Sequence, residues 1–397
     1  MNDWPQGWYR DKTPRRPAGG SMSDAPTAGY RGGAGQPGAG QAYGAGRASA
    51  WPSQPPGRTA PGRRSPEGPP DGWQPSGRRR RFGPKRILQL VAAVIILVIV
   101  GAIAFYFYLD SKLNRSVTLP AYSGQSAGQN WLITGSDSRQ GLSRQQIDSL
   151  HVGFDLGTLN SDSIMLLHTG SGRPVLLSIP RDSYVPIPGH GENKINAALG
   201  FGGPPLLIQT VEAVTGLRID HYMGIGFGGL VSVVNNVGGV KICLPTALQD
   251  SNSGVNLSAG CHNLDGAQAL SFVRDRHSFT NQDLQRIADQ RAFLKALLSK
   301  ATSPGVYLNP FTAMPFASAA ASALAVDKGT HLYNLVTAAM ALRNPQTGTV
   351  PIANANYPTA NAGDAVQWNQ SQALELFNAL ENDQKVPAGL LGGTKVG

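Results

Sequence analysis

Hydrophobic residues are distributed in two ways along the chain. One uninterrupted apolar run, residues 87–109, contains 23 residues with no charge, and Gln89 is its only strongly polar member. At about 1.5 Å per residue, a helix of this length crosses a hydrocarbon core of about 30 Å. The run ends on the aromatic residues 105–108 rather than on a small-residue cleavage site. We therefore predict an uncleaved transmembrane signal anchor at 87–109.

After this run, short apolar segments alternate with segments of helical periodicity. Short apolar runs predict strands at 131–134, 163–168, 175–179, 240–244 and near 347–352. Apolar spacing of three and four predicts helices at 207–216, 229–237, 266–273, 283–301, 331–344 and 368–383, and 316–326 is a further apolar segment. This alternation is typical of a single α/β domain with a central mixed β-sheet flanked by helices.

The predicted organisation has five parts. They are a tail at 1–86, the anchor at 87–109, a linker at 110–125, the α/β domain at 126–388 and a flexible C-terminus at 389–397. The tail contains 31 Gly and Pro and no Leu, Ile or Val, so it cannot bury enough apolar surface to offset the entropy of folding. We predict that the tail is disordered.

The net charge of +10 belongs entirely to the tail. Residues 1–86 hold 15 Lys and Arg against 5 Asp and Glu, and the rest of the chain holds 19 of each. Basic residues at 78–81, 85 and 86 directly precede the anchor, so the positive-inside rule places the tail in the cytoplasm and the domain outside it. This topogenic role accounts for the charge, and we predict a single-pass membrane protein that binds no nucleic acid.

The chain has only two cysteines, Cys243 and Cys261. An extracytoplasmic compartment is oxidising, so we predict a disulfide between them, with two unrelated buried thiols as the alternative. A zinc site is disfavoured because the histidines show no paired spacing with either cysteine.

Polar residues gather where the predicted strands begin or end. Asp137 and Arg139 follow the first strand, Asp162 precedes the second, and Arg181 follows the third. Such loops line the usual ligand crevice of open α/β sheets, so these residues are expected to converge. Two carboxylates suit Mg²⁺ or Mn²⁺, and guanidinium groups suit phosphate oxygens. For any single Arg–Asp pair, a surface salt bridge is the alternative.

A second polar group lies further along the chain. Arg274 and Arg276 follow the helix at 266–273. Asp283, Arg286 and Gln290 lie at positions i, i+3 and i+7 of the next helix, and therefore share one helix face. Together with the residues at the strand ends, these positions form a set that isolated surface salt bridges do not readily explain.

Eight segments between about residues 126 and 299 carry a resemblance, with a continuation to about residue 386. They read NWLITGSDSR, SDSIMLLH, LLSIPRDSYV, KINAALGFGG, IDHYMGIGF, VNNVGGVKICL, LDGAQALSFVRDRH and DLQRIADQ. In this order they resemble the LytR-CpsA-Psr family of cell-wall glycopolymer ligases, and the chain is identified as an actinobacterial member. A tail, one signal anchor and an extracytoplasmic domain are also that family's layout.

The resemblance implies a Mg²⁺-dependent transfer of a glycopolymer from a polyprenyl-pyrophosphate carrier to a peptidoglycan hydroxyl. The products would be a phosphodiester link and polyprenyl phosphate. Teichoic-acid-like, capsular and arabinogalactan chains would all present the same pyrophosphate, so the polymer stays open.

The family pattern also implies roles for individual residues. Asp137 and Asp162 would hold the metal ion, and Asp182 would orient neighbouring arginines. The acceptor hydroxyl needs a base, for which Asp137 and Asp283 are both candidates. Residues implied in binding the pyrophosphate are Arg139, Arg181, Lys194, Arg274, Arg276, Arg286 and Gln290, of which Arg181 and Arg286 are also counted as catalytic.

One position departs from the family pattern, and one role has an alternative. Asp289 stands where the family usually has a basic residue or histidine, which puts the fine tuning of this helix in doubt but not the reaction class. The apolar helices at 206–214 and 230–237 would line a tunnel for the lipid, or they are ordinary core.

Rival functions are weaker. The GIGFGG sequence at 224–229 matches a dinucleotide fingerprint, but the helix that follows is too short and nicotinamide cofactors are scarce outside the membrane. A membrane-anchored transcriptional regulator would use the basic tail on DNA, but no helix-turn-helix pattern is present. A non-catalytic wall protein that binds polyprenyl phosphate would not need the intact set of Asp and Arg residues.

Overall fold

The computed structural model describes residues 84–139, 142–150, 152, 161–250, 253–275 and 282–391, except the side chains at 149, 162, 282–288 and 307. Residues 1–83 of the tail, and the disorder predicted for them, lie outside the described part. Two compact units divide the chain. The unit at 15–93 is described only over 84–93, which are helical, and the other unit contains every described residue from Val94 to Leu391.

The described helices confirm the predicted ones and add shorter segments. A 3₁₀ turn, Ala388–Leu391, closes the described chain. The α-helices are α1 (Pro84–Lys112), α2 (Arg144–Ser149), α3 (Ala197–Thr215), α4 (Phe227–Asn236), α5 (Gly266–Arg274), α6 (Gln282–Ala301), α7 (Pro304–Tyr307), α8 (Pro310–Ala323), α9 (Leu332–Ala341) and α10 (Gln370–Glu381).

The strands include all five that the sequence predicts. They are β1 (Asn114–Val117), β2 (Gln129–Ser136), β3 (Ser161–Thr169), β4 (Val175–Ile179), β5 (Tyr184–Ile187), β6 (Gly191–Lys194), β7 (His221–Ile225), β8 (Val240–Leu244), β9 (Leu248–Asp250), β10 (Val255–Leu257), β11 (Gly260–Leu264), β12 (Leu324–Asp327), β13 (Gln346–Thr349), β14 (Ile352–Thr359) and β15 (Gly363–Trp368).

The central sheet is mixed, as predicted, and has the order β1-β12-β7-β2-β3-β4-β13. Strand β2 is parallel to β7 and antiparallel to β3, and β3 is antiparallel to β4. Strand β4 is parallel to β13. Strands β2, β4, β7 and β13 therefore end at one edge of the sheet, where β3 begins.

Helices cover both faces of this sheet. On one face, Leu132 and Leu177 pack with side chains of α3 and α10. On the other, Trp131 and Leu167 pack with α9 and α6. Successive residues of β2 point to opposite faces, so both clusters depend on the same strand and its continuous apolar run. The result is a three-layer α/β/α domain.

A third hydrophobic cluster packs α4, α5 and α6 against two antiparallel strand pairs, β8–β11 and β9–β10. Cys243 of β8 lies directly opposite Cys261 of β11, and the two form a disulfide, which confirms the prediction. In the chain-entropy model, a bridge of this span stabilises the fold by about 3 kcal/mol.

The segments around the domain differ from the prediction in two places. Residues 110–125, expected to be a linker, include β1, because residues 114–117 pair with β12 at the sheet edge. The C-terminus, expected to be flexible from 389, is held as far as residue 391 because Leu390 is buried in the core. Residues 392–397 lie outside the described part.

Helix α3 begins ten residues before the predicted helix and contains a kink. Gly202 and Gly203 leave helical geometry, and Gly203 has a φ of 66°, which glycine tolerates best. Pro204 and Pro205 then restart the helix, where proline needs no amide partner. Leu207, Ile208 and Val211 are fully buried against the sheet, so these side chains are core rather than an open lipid-lining surface.

Glu212 is a buried acid on α3, near the sheet edge at which β7 begins. One carboxylate oxygen accepts a hydrogen bond from the amide of Ile219 at 3.0 Å. Burial outweighs this hydrogen bond and raises the pKa of Glu212 to about 7. The folded domain therefore favours the protonated acid.

The free energy of unfolding should consequently fall as the pH rises from about 4.5 to about 7. Below this window both states are protonated. Above this window the ionisation of Glu212 lowers the free energy of unfolding by up to roughly 3 kcal/mol relative to low pH, since one pKa unit is 1.36 kcal/mol. Glu212→Gln keeps an acceptor for Ile219 and should abolish this slope. Urea denaturation at pH 5 and pH 8 measures it, with the exposed Glu375→Gln as control, and an unchanged slope in Glu212→Gln would contradict the assignment.

Candidate functional site

The predicted polar residues meet at one edge of the central sheet. Asp137 and Arg139 follow β2, Asp162 is the second residue of β3, and Arg181 lies two residues beyond β4. Strands β2 and β4 flank β3, so the loop after β2 and the loop after β4 leave the sheet about 10 Å apart, with the start of β3 between them. The structure therefore places the loops that carry these residues at the same edge of the sheet.

The turn from Pro180 to Ser183 is held by hydrogen bonds to all four of its carbonyl groups. The Pro180 carbonyl accepts from the Ser183 amide at 3.0 Å and from its hydroxyl at 2.6 Å. The Arg181 and Ser183 carbonyls accept from the amides of residues 196 and 195, and the Asp182 carbonyl accepts from that of residue 366. The indole of Trp368 donates to the Ser183 hydroxyl at 2.8 Å. This network fixes the backbone that carries Arg181.

Asp182 lies between two cations. Its Oδ2 accepts from Nε of Arg181 at 3.2 Å, and its Oδ1 is 3.5 Å from Nζ of Lys194, the last residue of β6. All three side chains are partly buried, which strengthens the charge interactions relative to a fully exposed site. Asp182 thus orients Arg181, as the sequence suggests, and also Lys194.

Two further arginines, Arg139 and Arg274, both donate to carbonyl groups of the segment that follows β2. Arg139 donates through Nε and Nη2 to the Val152 carbonyl, at 3.0 and 2.5 Å. Arg274, at the end of α5, donates to the Leu150 carbonyl at 3.4 Å and lies 5.2 Å from the ring centre of Phe227. Carbonyl groups two residues apart therefore position both guanidinium groups.

Gln290 and Arg291 lie side by side on α6. The Gln290 amide donates to the Val273 carbonyl at 3.4 Å, and so links α6 to the residue before Arg274. Arg291 donates to the hydroxyls of Ser178 and Thr349, at 2.9 and 2.6 Å, and to the Gly348 carbonyl. Burial lowers the pKa of Arg291 to about 10, so it remains a cation at neutral pH.

Sequence reasoning missed Arg291. It lies near the ends of β4 and β13. Its partner Ser178 is three positions before Arg181 in the sequence. A signal was present, because Arg291 shares a helix face with Leu294 and Leu298, which pack on the sheet. A basic residue on the apolar face of a helix needs a buried partner or ligand.

Several predicted residues are described only in part. Arg276 lies outside the described residues, and Asp283 and Arg286 lie on α6 as expected, without described side chains. The backbone of Asp162 is described, but not its side chain. The roles of these four residues stay predictions.

The two predicted metal ligands lie on neighbouring strands. Ser136 pairs with Ser161, so Asp137 and Asp162 follow paired residues at the same edge. Among the side chains that are described, no group of three His, Cys, Asp or Glu forms a metal site. Two carboxylates fit Mg²⁺ or Mn²⁺ only if water and substrate phosphates supply the other ligands, which is how Mg²⁺ usually binds.

The start of α4 does not suit a dinucleotide. The GIGFGG sequence does connect β7 to α4, but the Phe227 amide at the helix start donates to the Ser138 carbonyl at 2.9 Å. A Cβ at Gly226 would lie 2.9 Å from the same carbonyl oxygen. Backbone from the β2 loop therefore fills the position that a pyrophosphate would occupy.

The fold and site define an α/β/α domain with guanidinium and ammonium groups gathered at one strand edge, suited to a phosphate-bearing ligand. The model of the LytR_cpsA_psr family matches residues 109–382. The chain belongs to the LytR-CpsA-Psr family, as the sequence resemblance predicts.

Named relatives agree with this assignment. "Probable cell wall biosynthesis protein LcpB" of Corynebacterium glutamicum is 46% identical over 310 residues, 77% of this chain and 74% of the relative. A polyisoprenyl-teichoic acid–peptidoglycan teichoic acid transferase, TagU of Oceanobacillus iheyensis, is 32% identical over 55% of this chain and 67% of its own length.

Solved structures share the fold. A LytR-Csp2A-Psr enzyme from Actinomyces oris superimposes with a TM-score of 0.54 at 20% identity, covering 68% of this chain and 96% of that one. A structure of TagT bound to LI-WTA has a TM-score of 0.50 at 25% identity, covering 68% of this chain and all of that one.

Ser183→Ala should loosen the turn that carries Arg181. The change removes a buried acceptor for the Trp368 indole, and should cost about 1–3 kcal/mol of unfolding free energy. Hydrogen exchange of the Asn196 and Val366 amides should accelerate beyond the global change. Thr215→Val, which removes a buried hydroxyl from the far end of α3, is the control. Equal exchange at both amides in the two variants would contradict the role of Ser183.

Proposed function

We propose that this protein transfers a glycopolymer from a polyprenyl-pyrophosphate carrier to a peptidoglycan hydroxyl. The observation that carries the proposal is the set of cations at one strand edge, of which Arg181 and Lys194 share Asp182. Family membership and relatives named as teichoic acid–peptidoglycan transferases support it.

In the proposed reaction, the acceptor hydroxyl attacks the phosphorus atom that bears the glycopolymer. A phosphodiester forms, the pyrophosphate P–O–P bond breaks, and polyprenyl phosphate leaves. Negative charge grows on the leaving phosphate, so positioning and electrostatic stabilisation supply most of the catalysis. Arg181 and Lys194 would bind these oxygens, and Arg139, Arg274 and the remaining predicted cations would complete the site.

A carboxylate must accept the proton of the acceptor hydroxyl. Asp137 is the described candidate and is half-buried at the strand edge, and Asp283 on α6 is the other. We propose that Asp137 and Asp162 hold Mg²⁺ or Mn²⁺ with the substrate phosphates. When bound, the ion would offset the charge of the pyrophosphate.

Helix α1 is the one described helix long and apolar enough to cross a membrane. We propose that it anchors the protein with the tail in the cytoplasm and the domain outside. The strand that follows α1 is connected to β4, which precedes Arg181, by a row of paired residues across the sheet. The row covers five strand spacings, about 24 Å in total. The row is Asn114, Ala325, Gly224, Thr134, Ile164 and Ile179. The anchor would thus keep the site near a lipid-linked substrate.

Arg181→Ala should lower turnover by about 10- to 100-fold. A hydrogen bond to a charged group is worth about 1.5–3 kcal/mol, and 1.36 kcal/mol is tenfold in rate. Arg181→Lys should recover little because an ammonium cannot make bidentate contacts. The assay measures polyprenyl phosphate released from a synthetic polyprenyl-pyrophosphate sugar in the presence of Mg²⁺.

Arg173→Ala is the matched control, because Arg173 binds Asn344 at the opposite edge of the sheet. It should retain activity. Wild-type turnover by Arg181→Ala would remove Arg181 from the site. Lipid binding by the wild type without release would instead indicate a non-catalytic wall protein.

Chelation by EDTA should stop polyprenyl phosphate release, and Mg²⁺ or Mn²⁺ should restore it. Asp162→Asn should raise the Mg²⁺ concentration for half-maximal rate by at least about tenfold, because one of two charged ligands is lost. Asp364→Asn, an exposed change on β15, should leave it unaltered. Full activity in EDTA would reject the metal assignment.

A further inference from the structure

Two helices expose large apolar side chains on the surface of the domain. Tyr333, Val336 and Met340 of α9 are 56%, 48% and 58% exposed, and their spacing of three and four puts them on one helix face. Phe311 and Met314 of α8 are 89% and 50% exposed, and Leu308, just before that helix, is 70% exposed. We refer to these six residues as the apolar face.

The surrounding sequence lacks charge. Residues 304–326 and 329–342 contain no Asp, Glu, Lys or Arg, although charged residues make up 15% of the chain. Water-exposed helices normally carry charged residues on their outer side. Exposed apolar side chains in segments without charge indicate contact with a protein or a membrane.

Both helices pack at the point where α1 ends. Leu113, the residue after α1, is buried in one cluster with Ala321 of α8 and Val326, and Leu335 of α9 packs against this cluster. The Leu332 amide at the start of α9 donates to Asp110 of α1 at 2.8 Å. Tyr333 is therefore adjacent in sequence to a residue that is hydrogen-bonded to the last turns of the anchor.

The end of α1 also has the composition of a membrane–water interface. Tyr106 and Tyr108 precede Lys112, whose ammonium lies 5.3 Å from the Tyr108 ring centre. Aromatic and basic residues of this kind concentrate at the headgroup level of a bilayer. The start of α9 is thus at the level where the anchor leaves the membrane.

We propose that the apolar face inserts into the headgroup and upper acyl region of the same bilayer that α1 spans. Bilayer lipid is the occupant that the geometry favours, because the face begins at the anchor and lacks charge. This second contact would fix how the domain stands on the membrane. The proposal rests on the proposed anchoring by α1, and not on the proposed transfer chemistry.

Site-specific fluorescence of the full-length protein in vesicles tests the proposal. Val336→Cys and Phe311→Cys variants would carry an environment-sensitive thiol label, in vesicles of phosphatidylcholine and phosphatidylglycerol. Leu374→Cys is the matched control, since Leu374 is an exposed apolar residue on α10, across the sheet from α9. Lipids brominated in the upper acyl chain serve as quenchers, and thermal unfolding verifies the fold of each variant.

The labels at positions 336 and 311 should emit at shorter wavelength than the control and lose at least twofold more intensity to brominated lipid. Val336→Ser with Met340→Ser should reduce the quenching of a label at position 311 by at least half. Emission like that of the control would show a face in water and overturn the proposal. A blue shift without quenching would show contact with another protein, and would also overturn it.

The same vesicles separate this proposal from the proposed function. Polyprenyl phosphate release reports the transfer chemistry, whereas lipid quenching reports only where the face lies. Quenching without release would reject the chemistry and retain the membrane contact. Release without quenching would do the reverse.

Discussion

The site depends on one constraint, the complete hydrogen bonding of the turn that follows β4. Of its four consecutive carbonyl groups, the first is satisfied by Ser183 within the turn and the other three by residues 195 and 196, between β6 and α3, and by residue 366 of β15. The Trp368 indole secures the Ser183 hydroxyl. Buried backbone groups without partners are costly, so the turn has little freedom to rearrange. Arg181 and Asp182 inherit that rigidity, because their backbone is fixed before any ligand arrives.

Hydrogen bonds to neutral oxygens hold several of the basic side chains in place. Arg139 and Arg274 are held by main-chain carbonyls, and Arg291 by two hydroxyls and a carbonyl. Such contacts satisfy guanidinium donors, and a neutral oxygen does not itself cancel the positive charge. A strand edge built in this way is preorganised for an anion, since the donors need not move when the anion binds.

The central strands and the main helices could be predicted because each has a clear apolar pattern within its own segment of sequence. The run at 175–179 became β4 with the same bounds, and that at 240–244 became β8. The hairpins β5–β6 and β14–β15 were missed because most of their residues are exposed or half-buried, so cross-strand pairing rather than an apolar pattern defines them. Likewise, the apolar segment 316–326 turns from helix to strand at Leu324 because β7 offers a pairing edge. For the site, strand ends predicted convergence, but the contacts of Arg291 depend on a tertiary packing that no local pattern encodes.

The position of β1 has a consequence for how this chain folds. Strand β1 starts two residues after α1 ends, yet its partner β12 comes from the last third of the domain, and Arg115 of β1 donates to a carbonyl 215 residues away. The first strand of the domain is therefore among the last to find its partner. Closing so long a loop is entropically unfavourable until the intervening core has formed. The domain must thus carry an unpaired strand next to α1 until nearly all of the chain is available to fold.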